Sequence, residues 1–317
     1  MPKLWRIYCT TEGANVYVES ELPPTICPNN AAHTVVATSV SIYDHQIIGS
    51  TLYGDGADGD VTIAVDTTLA RDMYYRRLTL TTGATINVNG FRIFISDSLI
   101  MVSGNITANG GNAVGQTGGV LVSLSNTVGT GTAGGLGGTN LAAGSNGGTM
   151  TSSTRLGGFG SVGGAGFLTG GGLGGAGAII PETAGGTRIF GFAQYAIRGR
   201  DITNVKANGG TGGGGGGGTL GANGGGGGAG GGIVMVAARN IEYTSGLISA
   251  NGGDGGIPTG TAAGGGGGGG GGSVIFVSTQ DSSAITMTVN GGIGGLSGGI
   301  GGNGVNGLVG NIFRVVL

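Results

Sequence analysis

Residues 264–278 read GGGGGGGGGSVIFVS, nine consecutive glycines running without a break into an alternating strand. A flexible linker accounts for the first half, because glycine loses more backbone entropy on ordering than any other residue. It leaves the second half unexplained. Composition extends the question to the whole chain. Glycine supplies 82 of 317 residues and proline only 6, which excludes the collagen and proline-rich classes. Disordered chains combine high net charge with low hydrophobicity. Here 9% of residues are charged, the net charge is −2 and the mean hydropathy is +0.26, a balance that favours order.

Internal repeats carry the next step. A long apolar or β-branched residue, any residue, Ala or Val, then Asn-Gly-Gly occurs at Ile106-Thr-Ala-Asn-Gly-Gly, Val205-Lys-Ala-Asn-Gly-Gly, Ile248-Ser-Ala-Asn-Gly-Gly and Met287-Thr-Val-Asn-Gly-Gly. Each copy follows a strand-like run: FRIFIS from Phe91, TRIFGF from Thr187, GIVMVA from Gly232 and SVIFVS from Ser273, with NIFRVVL from Asn311 closing the series. The last two tetrads are about 40 residues apart. The longer first interval holds a further run, GVLVSLS from Gly119. Each unit reads as a strand, a polar turn, a second short strand ending at Ala-Asn-Gly-Gly, and a glycine-rich excursion to the next strand. Asn-Gly is expected to turn there, since both residues tolerate positive φ. In SVIFVS, Val274, Phe276 and Ser278 share one face and Ile275 and Val277 the other. Both faces are largely apolar, so both are expected to be covered. The fold class is therefore all-β: a small N-terminal β module, then strand repeats stacked as a β-solenoid or sandwich.

This framework gives the glycine runs a role. In the polyproline II conformation a glycine segment has three residues per turn, a rise of about 3.1 Å and no internal hydrogen bonds. Its N–H and C=O groups all point sideways. Several such segments held side by side by strands can satisfy one another and pack closely, with no side chain between them. Residues 264–272 would span roughly 28 Å.

The long glycine runs, few charges and interspersed short strands resemble the polyglycine II sandwich of phage tail-fibre tip adhesins. The Ala-Asn-Gly-Gly units are similar to glycine-rich repeats of phage and bacterial surface proteins. WRIYCTTEGANVYVESELPPTICPNNAAHTV, from Trp5 to Val35, resembles a small module of virion structural proteins. The resemblance implies a non-enzymatic virion surface component, either a receptor-binding tip of a tail fibre or a capsid or fibre decoration. It implies other virion proteins as partners of residues 1–50, a host-surface polysaccharide or outer-membrane protein as receptor, and a homo-oligomer, with a trimer among the options. MPKLWRIYCTTEG lacks a basic stretch followed by an apolar run and a small-residue cleavage site, and no 18-residue apolar span occurs, so neither export nor membrane insertion is expected. That agrees with assembly in a host cytoplasm and a place in the virion. Lys and Arg cluster nowhere beyond Arg76-Arg77, which argues against a nucleic-acid partner.

Three regions follow. Residues 1–50 form the β module, with strand-like LWRIYC, NVYVES and HTVVATSVSIYD between PP and CPNN turns. Residues 51–111 run from the turn-rich GDGADGD through strand-like VTIAV and a helical turn expected at ARDMYYRRL into the first repeat. Residues 112–317 are the glycine-rich domain.

Several constellations can carry chemistry. Cys9, Cys27, His33 and His45 are the only cysteines and histidines. Their Cys-x17-Cys-x5-His-x11-His spacing lacks the close cysteine pair of structural zinc sites, so reduced buried thiols are preferred over a Cys9–Cys27 disulfide or zinc. Asp55, Asp58 and Asp60 could hold calcium, but without a distal glutamate a hydrated turn is preferred. No metal or cofactor is expected. Glu242 and Asp281 each lie six residues before a tetrad, as stacked carboxylates of a β-helical glycan-active enzyme would; a repeated polar corner is the plainer reading. GxGxxG matches arise by chance in glycine runs, and histidine is absent beyond position 45, which excludes a Ser-His-Asp triad in the large domain.

Receptor contacts are expected where side chains interrupt glycine. The candidates are Arg155, Phe159, Phe167 and Leu168 in TMTSSTRLGGFGSVGGAGFLTG, together with Ile257 and Pro258 in GIPTGTAA; IIPETAGG from Ile179 is a further interruption. The alternatives to an adhesin are a β-helical lyase or hydrolase acting on glycans and, more weakly, an ice-binding or surface-coat protein.

Overall fold

The computed structural model describes residues 3–11, 14–20, 25–27, 32–33, 41–42, 52–121, 128–129, 131–148, 156–166 and 209–316. Two compact units divide the chain, Met1–Tyr53 and Gly54–Leu317. In the first, β1 (Lys3–Cys9) pairs antiparallel with β2 (Ala14–Ser20) and with β3 (Ser41–Ile42). Cys9 and Cys27, both buried, form a disulfide, which corrects the expectation of reduced thiols and removes the two cysteines from the four candidate zinc ligands. Spacing alone could not decide this, because the pairing is set by where the chain after β2 returns.

The second unit contains two parallel sheets, and its strands alternate between them along the chain. The larger sheet consists of β4 (Gly59–Ile63), β6 (Met73–Leu80), β8 (Arg92–Met101), β10 (Ile233–Tyr243), β12 (Ser273–Ser278) and β14 (Asn311–Val316). The smaller consists of β5 (Thr67–Thr68), β7 (Thr85–Asn87), β9 (Asn105–Thr107), β11 (Leu247–Ser249) and β13 (Met287–Thr288). In both, spatial order follows sequence order. Parallel strands covered on both faces favour continuous apolar runs, and IVMVA and SVIFV supply them. Leu78, Ile93, Val234, Val236, Val274 and Phe276 from the larger sheet form one core with Ile86, Ile106, Ile248 and Met287 from the smaller. Ile275 and Val277, on the other face of β12, are also buried. The runs TRIFGF and Val205-Lys-Ala-Asn-Gly-Gly lie outside the described residues.

Within ARDMYYRRL the run from Met73 onward belongs to strand β6, not to the helical turn expected from sequence. The cause is a bulge: register between β6 and β8 shifts between Tyr75 and Arg77, so Tyr75 and Leu78 both enter the core at a spacing of three that imitates a helix. Buried Arg92 opens β8 beside this strand. Its Nε donates to Asp72 Oδ2 at 2.9 Å, its backbone N–H to Asp72 Oδ1 at 2.9 Å, and its guanidinium lies 5.2 Å from the centroid of Phe94, which stacks on Tyr74.

The tetrads supply the short strands of the smaller sheet, but their Asn-Gly pairs do not turn the chain. A turn does occur at Asn89-Gly90 after β7, where φ is +50° and +77° and the Phe91 N–H returns to the Val88 carbonyl. After β9, β11 and β13 the backbone instead passes straight through Asn-Gly into a long glycine excursion. The Asn side chain has a different role there. Asn109 Oδ1 accepts from the Asn251 N–H at 2.7 Å, and Asn251 Oδ1 from the Asn290 N–H at 2.8 Å, so each amide joins its segment to the next. The preceding Ala108, Ala250 and Val289 close the end of the core.

Residues 264–272 show how the excursions are held. The N–H groups of Gly264, Gly267 and Gly270 donate to Gly217, Gly214 and Thr211; those of Gly265, Gly268 and Gly271 to Gly302, Val305 and Leu308; those of Gly266, Gly269 and Gly272 to Gly256, Gly253 and Ala250. Their carbonyls accept with the same period of three, from 225, 228 and 231, from 164, 161 and 158, and from 295 and 292, while Gly272 at the strand end accepts from Asn311. All nine donors and all nine acceptors are used, and six neighbouring segments surround this one. A Cβ on any of these glycines would lie under 3.0 Å from a backbone oxygen. Six-sided closure of this kind is open only to glycine.

Amide exchange in residues 264–272 is therefore expected to be as slow as in β12, both being released by the same cooperative opening. Hydrogen-exchange mass spectrometry reads this directly, and free-peptide rates in the glycines beside a protected β12 would overturn it.

Candidate functional site

The excursions run outward and return through short turns. Among the described residues the turns lie at 114–117, 138–142, 219–222, 259–262 and 298–300, and each contains a left-handed residue: Gly115, Asn140, Gly221, Gly260 with Ala262, and Gly299. Adjacent turns are bonded to one another. Gln116 Nε2 donates to the Gly137 carbonyl at 3.0 Å, and the Gly137 N–H to the Gln116 carbonyl at 2.9 Å. Asn140 donates its N–H to Asn223 Oδ1 and accepts at Oδ1 from the Gly221 N–H. Thr259 bridges to Asn223, and the Ala262 N–H donates to the Gly298 carbonyl. The five turns thus make one continuous cap.

Aliphatic side chains project from this cap. Val114 is 78% exposed, Leu220 74% and Ile300 63%, and Leu141 is also exposed. A turn in water ordinarily carries polar residues, so a row of isolated aliphatics on linked turns is a feature to explain. Beneath each one the backbone is fixed by the packed glycines. Such side chains can be buried by a partner at little ordering cost, each contributing roughly 1.5–3 kcal/mol on full burial.

The residues singled out from sequence are distributed differently. Ile257 is 61% exposed on the approach to the turn at 259–262, whereas Pro258 beside it is buried. Phe159 is half-buried, and its carbonyl accepts from the Leu308 N–H. Arg155, Phe167, Leu168 and the IIPETAGG stretch lie outside the described residues. Sequence reading passed over Val114, Leu141, Leu220 and Ile300, because a single aliphatic in a glycine background carries no periodic signal. The cue that was present is position, since Leu220 sits midway between two glycine runs of similar length.

The other candidates are engaged locally. Asp58 forms an ion pair with Arg71 at 2.5 Å, which together with the Tyr74 N–H holds its carboxyl below the usual range, and Asp60 pairs with Arg76. Asp55 accepts from the Ala57 N–H. These carboxylates brace a turn. Glu242 is exposed on β10; Asp281 accepts from the hydroxyl and the N–H of Ser283, and those bonds lower its pKa and keep it ionised at a corner. Among the described residues no group of three or more His, Cys, Asp or Glu is placed to hold a metal ion, and no helix is long and apolar enough to cross a membrane.

Comparison with protein-family models, with curated proteins and with solved structures returns no match for this chain.

Proposed function

We propose that this protein is a non-enzymatic structural component of a virus particle surface, a receptor-binding fibre tip or a decoration, in which a polyglycine II lattice grown from a β-solenoid presents the turn cap to a host cell. The observation that carries this reading is the continuous cap of five linked turns bearing exposed aliphatics at the far end of the glycine segments. The three-residue rotation of hydrogen-bond partners is the period of polyglycine II, and strand alternation between two parallel sheets is the layout of a solenoid. A lattice without side chains suits receptor presentation, being stiff and chemically plain and letting the turns vary without disturbing the strands. On this reading residues 1–50 attach the protein to its particle.

The test replaces Val114, Leu220 and Ile300 together with serine. The variant is expected to enter particles normally and to adsorb to host cells at least about tenfold more weakly, as loss of apolar anchors implies, while deletion of residues 1–50 abolishes incorporation. Normal adsorption by the triple variant, or release of reducing ends from host polysaccharide by the purified protein, would overturn the proposal.

A further inference from the structure

Away from the cap, three neighbouring excursions lie side by side in one direction, those entered through Asn109, Asn251 and Asn290. The Gly110 N–H donates to the Asn251 carbonyl and the Gly252 N–H to the Asn290 carbonyl, and three residues further on Ala113 and Gly255 repeat the pattern toward Asp254 and Ile293. Asn109, Asn112, Asn251, Asp254, Asn290 and Ile293 line a shallow groove across these segments. The orientation of the groups in it is determined by their bonds. Asn112 Oδ1 accepts from the Asp254 N–H at 2.8 Å and Asp254 Oδ1 from the Ile293 N–H at 2.7 Å, as Asn109 and Asn251 do one turn earlier. With Oδ1 committed to a backbone N–H, each of these amides has its Nδ2 donors left to offer a ligand, and Asp254 keeps Oδ2 as an acceptor. The two rows repeat about 9 Å apart along a segment and about 5 Å apart between bonded backbones. The strands leading in present Thr107, Ser249 and Thr288 in register, and Ser249 Oγ and Thr288 Oγ1 are buried without a hydrogen-bond partner.

We propose that this groove binds a neutral glycan, laid across the three segments. Sugar hydroxyls accept from the Nδ2 groups and donate to Asp254 Oδ2, and the C–H face of a ring packs on Ile293. The lining selects that class. Among the described residues it offers no Lys or Arg for an anion, and Asp254 repels one. Its described lining also lacks the aromatic or Arg anchors that dominate protein interfaces. The inference deepens the adhesin reading by naming a ligand class, but it rests on a surface separate from the cap.

The ladder supplies its own test, because Asp254 already shows that a carboxylate can accept the neighbouring N–H. Asn112→Asp and Asn251→Asp therefore keep the structural acceptor while replacing the Nδ2 donors with a carboxylate oxygen and its negative charge. The full chain is titrated by calorimetry and saturation-transfer NMR with cello-, malto-, manno- and galacto-hexaose. At least one is expected to bind wild type, with each variant binding it about tenfold more weakly at an unchanged unfolding midpoint. No binding by any of the four, or equal binding by wild type and variants, overturns the proposal. Adsorption that depends on the cap while no hexaose binds would sink this inference and leave the adhesin reading standing. Hexaose binding that depends on Asn251, in a protein that never enters particles, would do the reverse.

Discussion

Gly268→Val abolishes folding of the 54–317 unit. The expected phenotype is an insoluble product, or a soluble one without a cooperative unfolding transition. The atom nearest the added Cβ is the carbonyl oxygen of Gly292, with the Gly307 nitrogen behind it, and neither can rotate away as a side chain would. Relief requires whole segments to separate, and each is bonded to others at every third residue. Gly266→Val and Gly267→Val meet the backbone of Gly226 and Ser161 in the same way. Overpacking a core of side chains costs about 1–3 kcal/mol because they readjust; a backbone lattice has no such freedom. Gly83→Ala is the matched control. At φ +80° with nothing within 4 Å of its Cβ, it is expected to lose only about 1–2 kcal/mol. Midpoints of thermal unfolding decide the matter: three valine variants as stable as wild type would mean that the lattice does not hold the unit together.

Asp72→Ala is expected to destabilise the same unit by about 3–5 kcal/mol, the range for breaking a buried ion pair by removing one partner. Arg92 is 1% exposed, and without Asp72 its guanidinium loses the carboxylate that balances its charge. Its contact with the Phe94 ring does not compensate, since it is already made when Asp72 is present. Replacing both residues, Arg92→Met with Asp72→Leu, is expected to recover most of the loss, because apolar pairs of similar volume often match buried ion pairs. Urea midpoints measure both. A loss below about 1 kcal/mol for Asp72→Ala, the level of an exposed pair, would show that the pair is solvated.

The strands were legible because their information is local. In β10 and β12 the runs IVMVA and SVIFV declare themselves as strands covered on both faces, and the tetrads mark where the smaller sheet ends. Misreadings arose where local pattern and long-range partner disagree. Tyr75 and Leu78 imitate a helix across a bulge that only the neighbouring strand explains. Asn109-Gly110 has the composition of a turn, and Asn89-Gly90 is one; what separates them is the adjacent segment whose N–H the Asn109 side chain can reach. The cysteine pair needed the path of the chain after β2. The cap was the least legible feature, since glycine carries no side chain to encode which segment lies beside which. Val114, Leu220 and Ile300 stand far apart along the chain and become members of one surface only once the segments are assembled.

The period of three has a genetic consequence. Every glycine codon begins with the same two bases, so the tract encoding residues 264–272 is a near-repeat on which a copying polymerase can slip by one codon. In an ordinary surface loop such a slip is tolerated. Here the arm is pinned at Ser273 in β12, and losing one glycine would turn every earlier residue of the arm by a third of a revolution and point each N–H at the wrong neighbour. Even a three-codon slip, which restores the phase, leaves the arm short against its six neighbours. The most monotonous stretch of the gene is thus the one whose length selection must police most closely, while the codons for the exposed Leu220 or Ile300 can change without disturbing the packed segments.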